Sequence, residues 1–348
     1  METPDLLLAQ LGWKPFFSEQ FSPEESDSVQ PARVISVHRG RVTVAGEGFE
    51  DSIPSGLPVP GGAEDRPTVG DWLLVDRSSR TIVRILARTS LFKRPAPGDD
   101  RRVQLIAANV DTLFIVTACT QDFNVARLER YLVLAREVGV RPVVVLTKAD
   151  LSPEPEALVV AAEALQAGLR VELVNGLDPA SVAHLLDYCG VGETVALVGS
   201  SGVGKSTLVK TLTGSTSIAT QAVREDDGKG RHTTTVREMY RLASVEDGGV
   251  AEGGWLVDTP GMRELQMSEV STGVTEVFDD VTTVALACKF SNCTHVAEPG
   301  CAINAALAAG ELDPARVARW RKLSHEDAVS SSAATVRRAR SGNASNKR

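Results

Sequence analysis

Residues 199–207, with the sequence GSSGVGKST, match the pattern G-x-x-x-x-G-K-[ST] of loops that bind nucleotide phosphates. The glycines allow a tight turn whose backbone N–H groups point at phosphate oxygens, and the helix expected to begin near Lys205 adds the positive end of its dipole. We expect Lys205 to reach the β- and γ-phosphates and Ser206 to ligate Mg²⁺. The alternative is a plain glycine-rich turn, which the apolar strand before the loop and the apolar-striped helix after it disfavour. The predicted phosphate-binding residues are Gly199, Ser200, Ser201, Gly202, Val203, Gly204, Lys205, Ser206 and Thr207.

A second short segment, TKAD at residues 147–150, could select the base. The carboxylate of Asp150 can accept hydrogen bonds from guanine N1–H and from the 2-amino group, whereas adenine offers no such pair of donors. The aliphatic stem of Lys148 can lie over the purine face. The segment follows the apolar run RPVVVL, and ligand loops lie at the carboxyl ends of parallel strands. The alternative is a polar strand end without a ligand. The predicted base-binding residues here are Thr147, Lys148, Ala149 and Asp150.

Two further segments are typical of proteins that sense a γ-phosphate. DTPG at residues 258–261 follows the apolar residues WLV, which places Asp258 to hold Mg²⁺ through water and the Gly261 N–H to contact the γ-phosphate. GKGRHTTT at residues 228–235 is a loop rich in glycine and threonine, and one of its threonines could complete the Mg²⁺ shell. We favour Thr234, although the sequence does not separate it from its neighbours.

The order of these segments is unusual for a guanine-nucleotide site. Such proteins begin with the phosphate loop and end with Lys-x-Asp, whereas here Lys-x-Asp comes first and the threonine loop and DTPG follow the phosphate loop. This order predicts a circularly permuted domain, which a compact α/β fold tolerates because its termini usually lie close together. In consequence, DTPG leads directly into the C-terminal segment.

Three of the five cysteines lie within residues 288–301 and form the pattern C-x4-C-x-H-x5-C. Three thiolates and one imidazole suit tetrahedral Zn²⁺, and four protein ligands leave no open position, so the predicted site is structural and not hydrolytic. The alternative is a group of reduced core cysteines with an incidental histidine. Cys119 and Cys189 lie in apolar contexts and are predicted to be packing residues. The predicted zinc ligands are Cys288, Cys293, His295 and Cys301.

The chain around these motifs predicts a multidomain α/β protein. Short alternating segments over residues 32–88 are typical of a small β-barrel, and strands alternating with helices from residue 103 predict a mostly parallel sheet covered on both faces. The predicted segments are an N-terminal extension (1–30), the barrel (31–90), a mobile charged linker (91–102), the nucleotide-binding domain (103–274), a helical zinc-binding domain (275–328) and a disordered basic tail (329–348).

Charge and hydropathy limit the class of protein. No run of 18 apolar residues could span a membrane, and the N-terminus lacks the basic region of a signal peptide, so we expect a cytoplasmic protein. Net charge is −8, but residues 316–348 hold nine basic residues against two acidic ones, a difference of +7 that leaves −15 for residues 1–315. A basic tail on an acidic body fits contact with a polyanion, although it also fits a simple solvated tail.

Together these segments resemble the bacterial RsgA (YjeQ) family of GTPases that depend on the small ribosomal subunit. The likeness covers residues 30–325 and includes RPVVVLTKADL, DDGKGRHTTT, DTPGMRELQ and CKFSNCTHVAEPGC. The resemblance implies an OB-fold barrel, a circularly permuted GTPase domain and a zinc-binding helical domain. It also implies a role in late maturation of the small (30S) subunit, contact with its rRNA, stimulation of GTP hydrolysis by the subunit, and a monomer off the ribosome.

The chain departs from the family in two places and lacks one common catalytic residue. Asn175-Gly176 replaces the usual Ser-Ala in the loop that the resemblance places at guanine O6, where backbone N–H groups make the contact, and the turn at residues 244–254 is longer. Met262 occupies the position where many GTPases carry a water-orienting glutamine. His232 resembles the histidine to which the family assigns that role, and Arg231 is the alternative for stabilising transition-state charge.

The resulting hypothesis is an RNA-contacting GTPase that binds the small ribosomal subunit and leaves after converting GTP to GDP. The alternative is a GTP-binding regulatory module whose hydrolysis is incidental and which scaffolds another RNA or protein. Turnover measured with and without small subunits separates the two.

Overall fold

The computed structural model describes residues 4–59, 62, 64–96, 99–214, 237–246, 249–258 and 270–345. The chain divides into two compact units. The first comprises Met1–Phe123, Gly139–Val160 and Arg170–Leu265, and the second comprises Asn124–Val138, Ala161–Leu169 and Gln266–Arg348. No helix in the described ranges is long and apolar enough to cross a membrane.

The elements follow in chain order. The helices are α1 (Pro4–Gln10), α2 (Pro15–Ser18), α3 (Val125–Glu137), α4 (Pro155–Glu163), α5 (Pro179–Val182), α6 (Lys205–Thr213), α7 (Ser271–Val277), α8 (Asp279–Ala285), α9 (Ala302–Ala309) and α10 (Pro314–Ser345). The strands are β1 (Val29–His38), β2 (Arg41–Gly46), β3 (Phe49–Pro54), β4 (Trp72–Asp76), β5 (Ile82–Ile85), β6 (Leu91–Ala96), β7 (Asp99–Ala108), β8 (Thr112–Ala118), β9 (Arg141–Thr147), β10 (Arg170–Leu173), β11 (Thr194–Val198), β12 (Arg237–Glu246) and β13 (Gly249–Asp258). Two 3₁₀ helices span Ala149–Leu151 and Ala183–Tyr188.

The first five strands are antiparallel, in the order β3-β2-β1-β4-β5. Alternate apolar side chains such as Val34, Val44 and Leu73 are fully buried in one cluster. The sequence predicts four of these strands and misses β3, whose residues Phe49–Pro54 are mostly exposed acidic and polar side chains with only Ile53 buried. A strand with one buried position carries too little apolar alternation to be recognised from sequence.

The central strands form a mixed sheet. Strands β10, β9, β8, β11 and β13 are parallel in that order, and β12 pairs antiparallel with β13. The predicted parallel core is confirmed. Its strands are buried, as is usual for parallel strands, whose connecting helices cover the faces of the sheet. At its other edge β12 pairs with β1, with Ser36 opposite Glu238 and Val37 opposite Arg237. This pairing joins the N-terminal strands and the central strands in one sheet.

Residues 91–102 do not form the irregular linker that their charge and proline predict. Residues 91–96 lie in β6 and residues 99–102 in β7, and these strands pair antiparallel as a separate ribbon. Its apolar residues Phe92 and Leu105 are buried, while the Arg94 guanidinium donates to Gln104 Oε1 across the strands at 2.9 Å. Cross-strand polar pairs of this kind stabilise a ribbon whose composition alone resembles a loop.

The N-terminal extension is anchored to the first unit. Lys14 Nζ lies 2.5 Å from Asp111 Oδ1 and 3.2 Å from Glu193 Oε1. The Trp13 ring packs edge-on to Trp72 of β4 with centroids 4.7 Å apart, and the Trp255 indole N–H donates to a backbone carbonyl of α1 at 2.8 Å. The segment from Gln10 to Lys14 therefore contacts both the N-terminal strands and the central part of the first unit.

The second unit places α3 among the C-terminal helices. Glu129 of α3 is fully buried between two guanidinium groups, with Arg319 Nε 2.6 Å and Arg316 Nη1 3.3 Å from its carboxylate. A side chain at Gly273 of α7 would meet the Val133 carbonyl at 2.1 Å, so only glycine permits this close approach of α7 to α3. Buried ion pairs and close helix packing hold this unit together.

The basic tail beyond residue 329 is helical up to Ser345, because α10 continues through it. The prediction of a disordered tail is wrong for this stretch of backbone. Its composition is low in apolar residues, which suggested disorder, but alanine and arginine are strong helix formers. Extending an existing helix adds one hydrogen bond per residue without a new nucleation step, so a helix that begins at Pro314 can continue.

Candidate nucleotide site and metal centre

The predicted nucleotide-binding segments meet at one edge of the central sheet. TKAD begins at the last residue of β9, Asn175 follows β10, the phosphate loop follows β11, and Asp258 ends β13. Because these strands are parallel neighbours, their carboxyl ends lie at the same edge, where ligands bind in open α/β sheets. The structure thus brings together segments that lie up to 111 positions apart between Thr147 and Asp258.

The phosphate loop has the backbone that its glycines predict. Gly199 has a φ of +146°, and a Cβ there would lie 2.1 Å from the Val116 carbonyl oxygen, so no other residue fits. Gly204 has a φ of +98° and caps α6, and a Cβ there would lie 3.5 Å from Thr147 Oγ1. These positions allow the loop to pass close to β8 and to the end of β9.

The loop and the start of α6 present a cationic, donor-rich surface. Lys205 Nζ donates to the Gly199 carbonyl at 2.7 Å and to the Ser200 carbonyl, so the ammonium lies within the loop. Val203 is 1% exposed and anchors the loop in the core. Ser206 and Thr207 lie half-buried in the first turn of α6, at the positive end of the helix dipole. The predicted arrangement of strand, glycine-rich turn and helix is confirmed.

TKAD lies against the phosphate loop. Thr147 is buried, and its hydroxyl lies within hydrogen-bond distance of the carbonyls of Thr117, at 3.2 Å, and Val203. Lys148 adopts a left-handed backbone with φ +57°, and its ammonium donates to the Gly202 carbonyl at 2.8 Å. Asp150 is exposed in the adjoining 3₁₀ helix. The segment predicted to select the base is therefore in direct contact with the segment predicted to bind phosphates.

The loop after β10 is fixed from both sides. The Asn175 N–H donates to Ser181 Oγ at 2.9 Å, and the Leu177 N–H donates to Asn175 Oδ1 at 3.0 Å. The hydroxyl of Thr211, on α6, donates to the Gly176 carbonyl at 2.7 Å. Sequence reasoning missed Ser181 and Thr211, because neither belongs to a motif and the contacts depend on how α5 and α6 pack.

Several predicted residues lie outside the described part of the chain. These are His232, Thr234 and Gly261, together with the alternative Arg231 and the substituted position Met262. For Asp258 the structure describes the backbone, which ends β13 at the sheet edge beside β11.

The predicted metal ligands converge in the second unit. The four donor atoms of Cys288, Cys293, His295 and Cys301 all lie within 4.8 Å of one another. His295 Nδ1 is 3.4 Å from the Cys288 sulfur and 3.6 Å from the Cys301 sulfur, so Nδ1 is the nitrogen directed into the cluster. Three sulfurs and one nitrogen at this spacing could hold a metal ion.

Neighbouring groups orient the cluster. His295 has a left-handed backbone with φ +59°, its carbonyl accepts a hydrogen bond from the Arg321 guanidinium, and its ring packs 5.3 Å from the Trp320 ring. The Ala302 N–H, at the start of α9, points at the Cys288 sulfur at 3.3 Å. Burial, and next the positive charge of Arg321, lowers the pKa of His295 and so favours the neutral imidazole that a metal requires.

The two other cysteines are packing residues, as predicted. Burial raises the pKa of the Cys189 thiol to about 12. Burial, followed by the negative charge of Glu156, raises the pKa of the Cys119 thiol to about 11. Thiols with such pKa values remain protonated near neutral pH and are poor nucleophiles and metal ligands.

Comparison with known proteins agrees with this geometry. The sequence model of the family described as RsgA GTPase matches residues 85–268. A protein of Mesorhizobium japonicum named small ribosomal subunit biogenesis GTPase RsgA is 49% identical over 324 residues, which is 92% of this chain and 90% of that protein. A protein of Vibrio vulnificus named small ribosomal subunit biogenesis GTPase RsgA 2 is 45% identical over 327 residues, covering 93% of this chain and 89% of that protein.

Solved structures give the same fold. YjeQ from Thermotoga maritima superposes with a TM-score of 0.59 at 24% identity, covering 86% of this chain and 98% of that one. YloQ, described as a circularly permuted GTPase, superposes with a TM-score of 0.57 at 24% identity, covering 86% of this chain and 95% of that one. The circular permutation that the motif order predicts is thereby confirmed, and the chain belongs to the RsgA GTPase family.

Proposed function

We propose that this protein is a GTPase of small-subunit biogenesis, which binds the small ribosomal subunit with GTP and leaves after hydrolysis. The observation that carries the proposal is the contact of TKAD with the phosphate loop, through Lys148 Nζ and the Gly202 carbonyl at 2.8 Å. That contact joins a base-selecting and a phosphate-binding segment in one site. The names of relatives 44–49% identical to the chain support the biological role and the partner.

Within this site each group has a proposed task. Asp150 accepts hydrogen bonds from the guanine N1–H and 2-amino groups, and Lys148 covers the purine face. The Asn175 N–H is donated to Ser181 Oγ, so we assign the contact with guanine O6 to the Gly176 N–H. The phosphate loop and Lys205 hold the phosphates. Ser206, Thr234 and Asp258 would hold Mg²⁺, which would neutralise negative charge of the phosphates when bound.

We propose that His232 orients the attacking water. Met262 has no hydrogen-bonding group suited to that task, and the histidine precedes the threonines by one position in the loop that would cover the γ-phosphate. Arg231 is the alternative group for stabilising charge in the transition state.

The N-terminal strands would contact rRNA as an OB-fold. The five antiparallel strands in the order β3-β2-β1-β4-β5 support this assignment, because OB-folds are small five-stranded Greek-key barrels that bind nucleic acid. The pairing of β12 with β1 connects these strands to the nucleotide site, because β12 begins at Arg237, directly after the segment of the sequence that holds His232 and Thr234. RNA bound to the barrel would therefore affect the start of β12 through backbone hydrogen bonds.

We propose a separate task for each predicted domain. The barrel (31–90) and the helical zinc domain (275–328) would hold the subunit, the central domain (103–274) would time release, and basic residues at the C-terminus would add non-specific attraction to rRNA. Because its partner is a ribosomal subunit, we place the protein in the cytoplasm. The family resemblance also implies that it is a monomer when off the ribosome.

Zinc is the proposed metal of the cysteine cluster, and Cys293→Ser is expected to abolish its binding. Structural zinc contributes folding free energy directly, so the variant should lose its metal and its affinity for the subunit. GTP affinity should stay unchanged, because the nucleotide-binding residues belong to the first unit. Metal analysis, nucleotide titration and co-sedimentation measure the three properties.

The control for that experiment is Cys119→Ser, which removes a thiol outside the cluster and should leave one zinc per chain. Purified parent protein without zinc, or Cys293→Ser that retains a full equivalent, would contradict the assignment of the metal.

Co-sedimentation with purified small subunits tests the proposed function. The protein should pellet with subunits in the presence of a non-hydrolysable GTP analogue and stay in the supernatant with GDP. Increasing salt should weaken binding, since phosphate contacts release counterions. Equal binding with the analogue and with GDP would exclude release coupled to hydrolysis.

A further inference from the structure

We propose that Thr211 is a positioning residue for guanine recognition, acting through the backbone of Gly176. This inference rests on the proposed function, because it concerns how the site reads the base of GTP. No sequence motif includes Thr211, which lies six residues after Lys205 on α6.

The geometry links the base-contacting loop to the helix that carries the phosphate loop. Thr211 Oγ1 donates to the Gly176 carbonyl at 2.7 Å. One turn earlier on the same helix face, Thr207 Cγ2 would lie 3.9 Å from a Cβ at Gly176, so the loop packs along this face. Gly176 is buried, which shields the hydrogen bond from water and makes an unpaired carbonyl costly there.

The hydroxyl of Thr211 has a local alternative. The Thr207 carbonyl, four residues earlier, lies 3.0 Å from Thr211 Oγ1, in the usual arrangement of threonine inside a helix. A hydroxyl has one proton, so the shorter contact to Gly176 identifies the loop as the main acceptor. Loss of this donor would leave the loop without that bond to α6, while helix α6 keeps its own backbone hydrogen bonds.

The other end of the loop is held by bonds of its own. Ser181 Oγ accepts from the Asn175 N–H, and Asn175 Oδ1 accepts from the Leu177 N–H. These bonds set the shape of the loop, whereas the Thr211 bond sets its place relative to the phosphate loop. TKAD is placed in the same way by Lys148 and the Gly202 carbonyl. The TKAD segment and the loop after β10, which we propose to contact the base, are therefore both hydrogen-bonded to the phosphate loop and its helix α6. This fixes the distance between the base-binding and phosphate-binding groups before the nucleotide binds.

The test compares Thr211→Val with the parent protein, using GTP and 6-thio-GTP as ligands. Valine keeps the shape of threonine and removes the donor. Sulfur is a weaker hydrogen-bond acceptor than O6, while N1–H and the 2-amino group remain for Asp150. We expect GTP affinity to fall about tenfold, as the loss of one buried hydrogen bond implies, and 6-thio-GTP affinity to fall much less. Thr211→Ser restores the donor and should restore GTP affinity.

A matched control lies two residues further along the helix. Thr213 Oγ1 donates to the Val209 carbonyl at 2.8 Å, within α6 itself, so Thr213→Val removes a similar hydroxyl without touching the loop. Its nucleotide affinities should match those of the parent. If Thr211→Val fails to fold, as thermal unfolding would show, Thr211→Ala and Thr211→Ser provide the same comparison.

Equal losses for GTP and 6-thio-GTP in Thr211→Val, or no loss for either, would overturn the inference. Parent protein that binds the two nucleotides equally would overturn it as well, since the loop would then not read O6. Failure of the proposed function has a separate signature, which is equal affinity of the parent for GTP and ATP.

Discussion

Replacing His232 with alanine is expected to leave GTP affinity unchanged and to remove most of the turnover that small subunits stimulate. With Met262 at the position of the usual glutamine, the site needs another group to orient water, and the imidazole of His232, beside the threonines of GKGRHTTT, has suitable chemistry. Removing one such group costs about 10²-fold in rate, which corresponds to roughly 3 kcal/mol of activation free energy. Single-turnover hydrolysis with saturating subunits measures the effect.

The variant should also remain on the subunit for longer, because the proposed function has release follow hydrolysis. The control is His184→Ala, which removes a partly exposed histidine that pairs with Glu172 on β10 at 3.1 Å. Its stimulated turnover should equal that of the parent. If small subunits stimulate hydrolysis by His232→Ala as fully as by the parent, His232 does not orient the water, and Arg231 or a group of the ribosome assists hydrolysis instead.

Replacing Asp150 with asparagine is expected to weaken GTP binding by at least 10²-fold. The carboxylate would accept two hydrogen bonds from guanine, and a hydrogen bond to a charged group contributes about 1.5–3 kcal/mol. Asparagine presents an amide donor to the 2-amino group, so one contact becomes repulsive. Xanthine carries a 2-oxo group that accepts from this amide, and the variant should therefore prefer xanthosine triphosphate. Equilibrium titration with both nucleotides gives the ratio.

An exposed acid four residues away supplies the control. Glu154→Gln removes the same unit of charge near the site and should leave GTP affinity within about twofold of the parent, because exposed charges at this distance are largely screened by water. If Asp150→Asn binds GTP as tightly as the parent does, TKAD does not contact the base, and the preference for guanine has no explanation in this site.

The sequence correctly predicts which segments meet at the nucleotide-binding edge of the central sheet. A phosphate loop needs glycine at positions such as Gly199, where a Cβ would meet the Val116 carbonyl, so the motif is forced by backbone geometry. Apolar strands before Gly199 and Thr147 predict parallel neighbours whose carboxyl ends coincide. Residue types with restricted chemistry also identify the metal cluster, because cysteine and histidine at C-x4-C-x-H-x5-C spacing have few other uses.

Features that depend on tertiary packing were not predictable. The pairing of β12 with β1 joins positions that lie 200 residues apart, Val37 and Arg237, and no periodicity in the sequence indicates it. Glu129 resembles a surface charge of an amphipathic helix, yet two arginines from α10 bury it. Thr211 is one polar residue among several on α6, and its role depends on where Gly176 lies. Local patterns encode which elements form, whereas these contacts depend on how the elements meet.

Steady-state GTP hydrolysis by the parent protein, measured alone and with purified small ribosomal subunits, tests the proposed function most directly. Slow turnover alone and acceleration by at least about 10²-fold with subunits are expected, because the proposal is that subunit binding places His232 where it can orient the attacking water. Acceleration should be absent with large subunits. Unchanged turnover in the presence of small subunits, despite GTP-dependent binding to them, would contradict the proposal and favour a regulatory module whose hydrolysis is incidental.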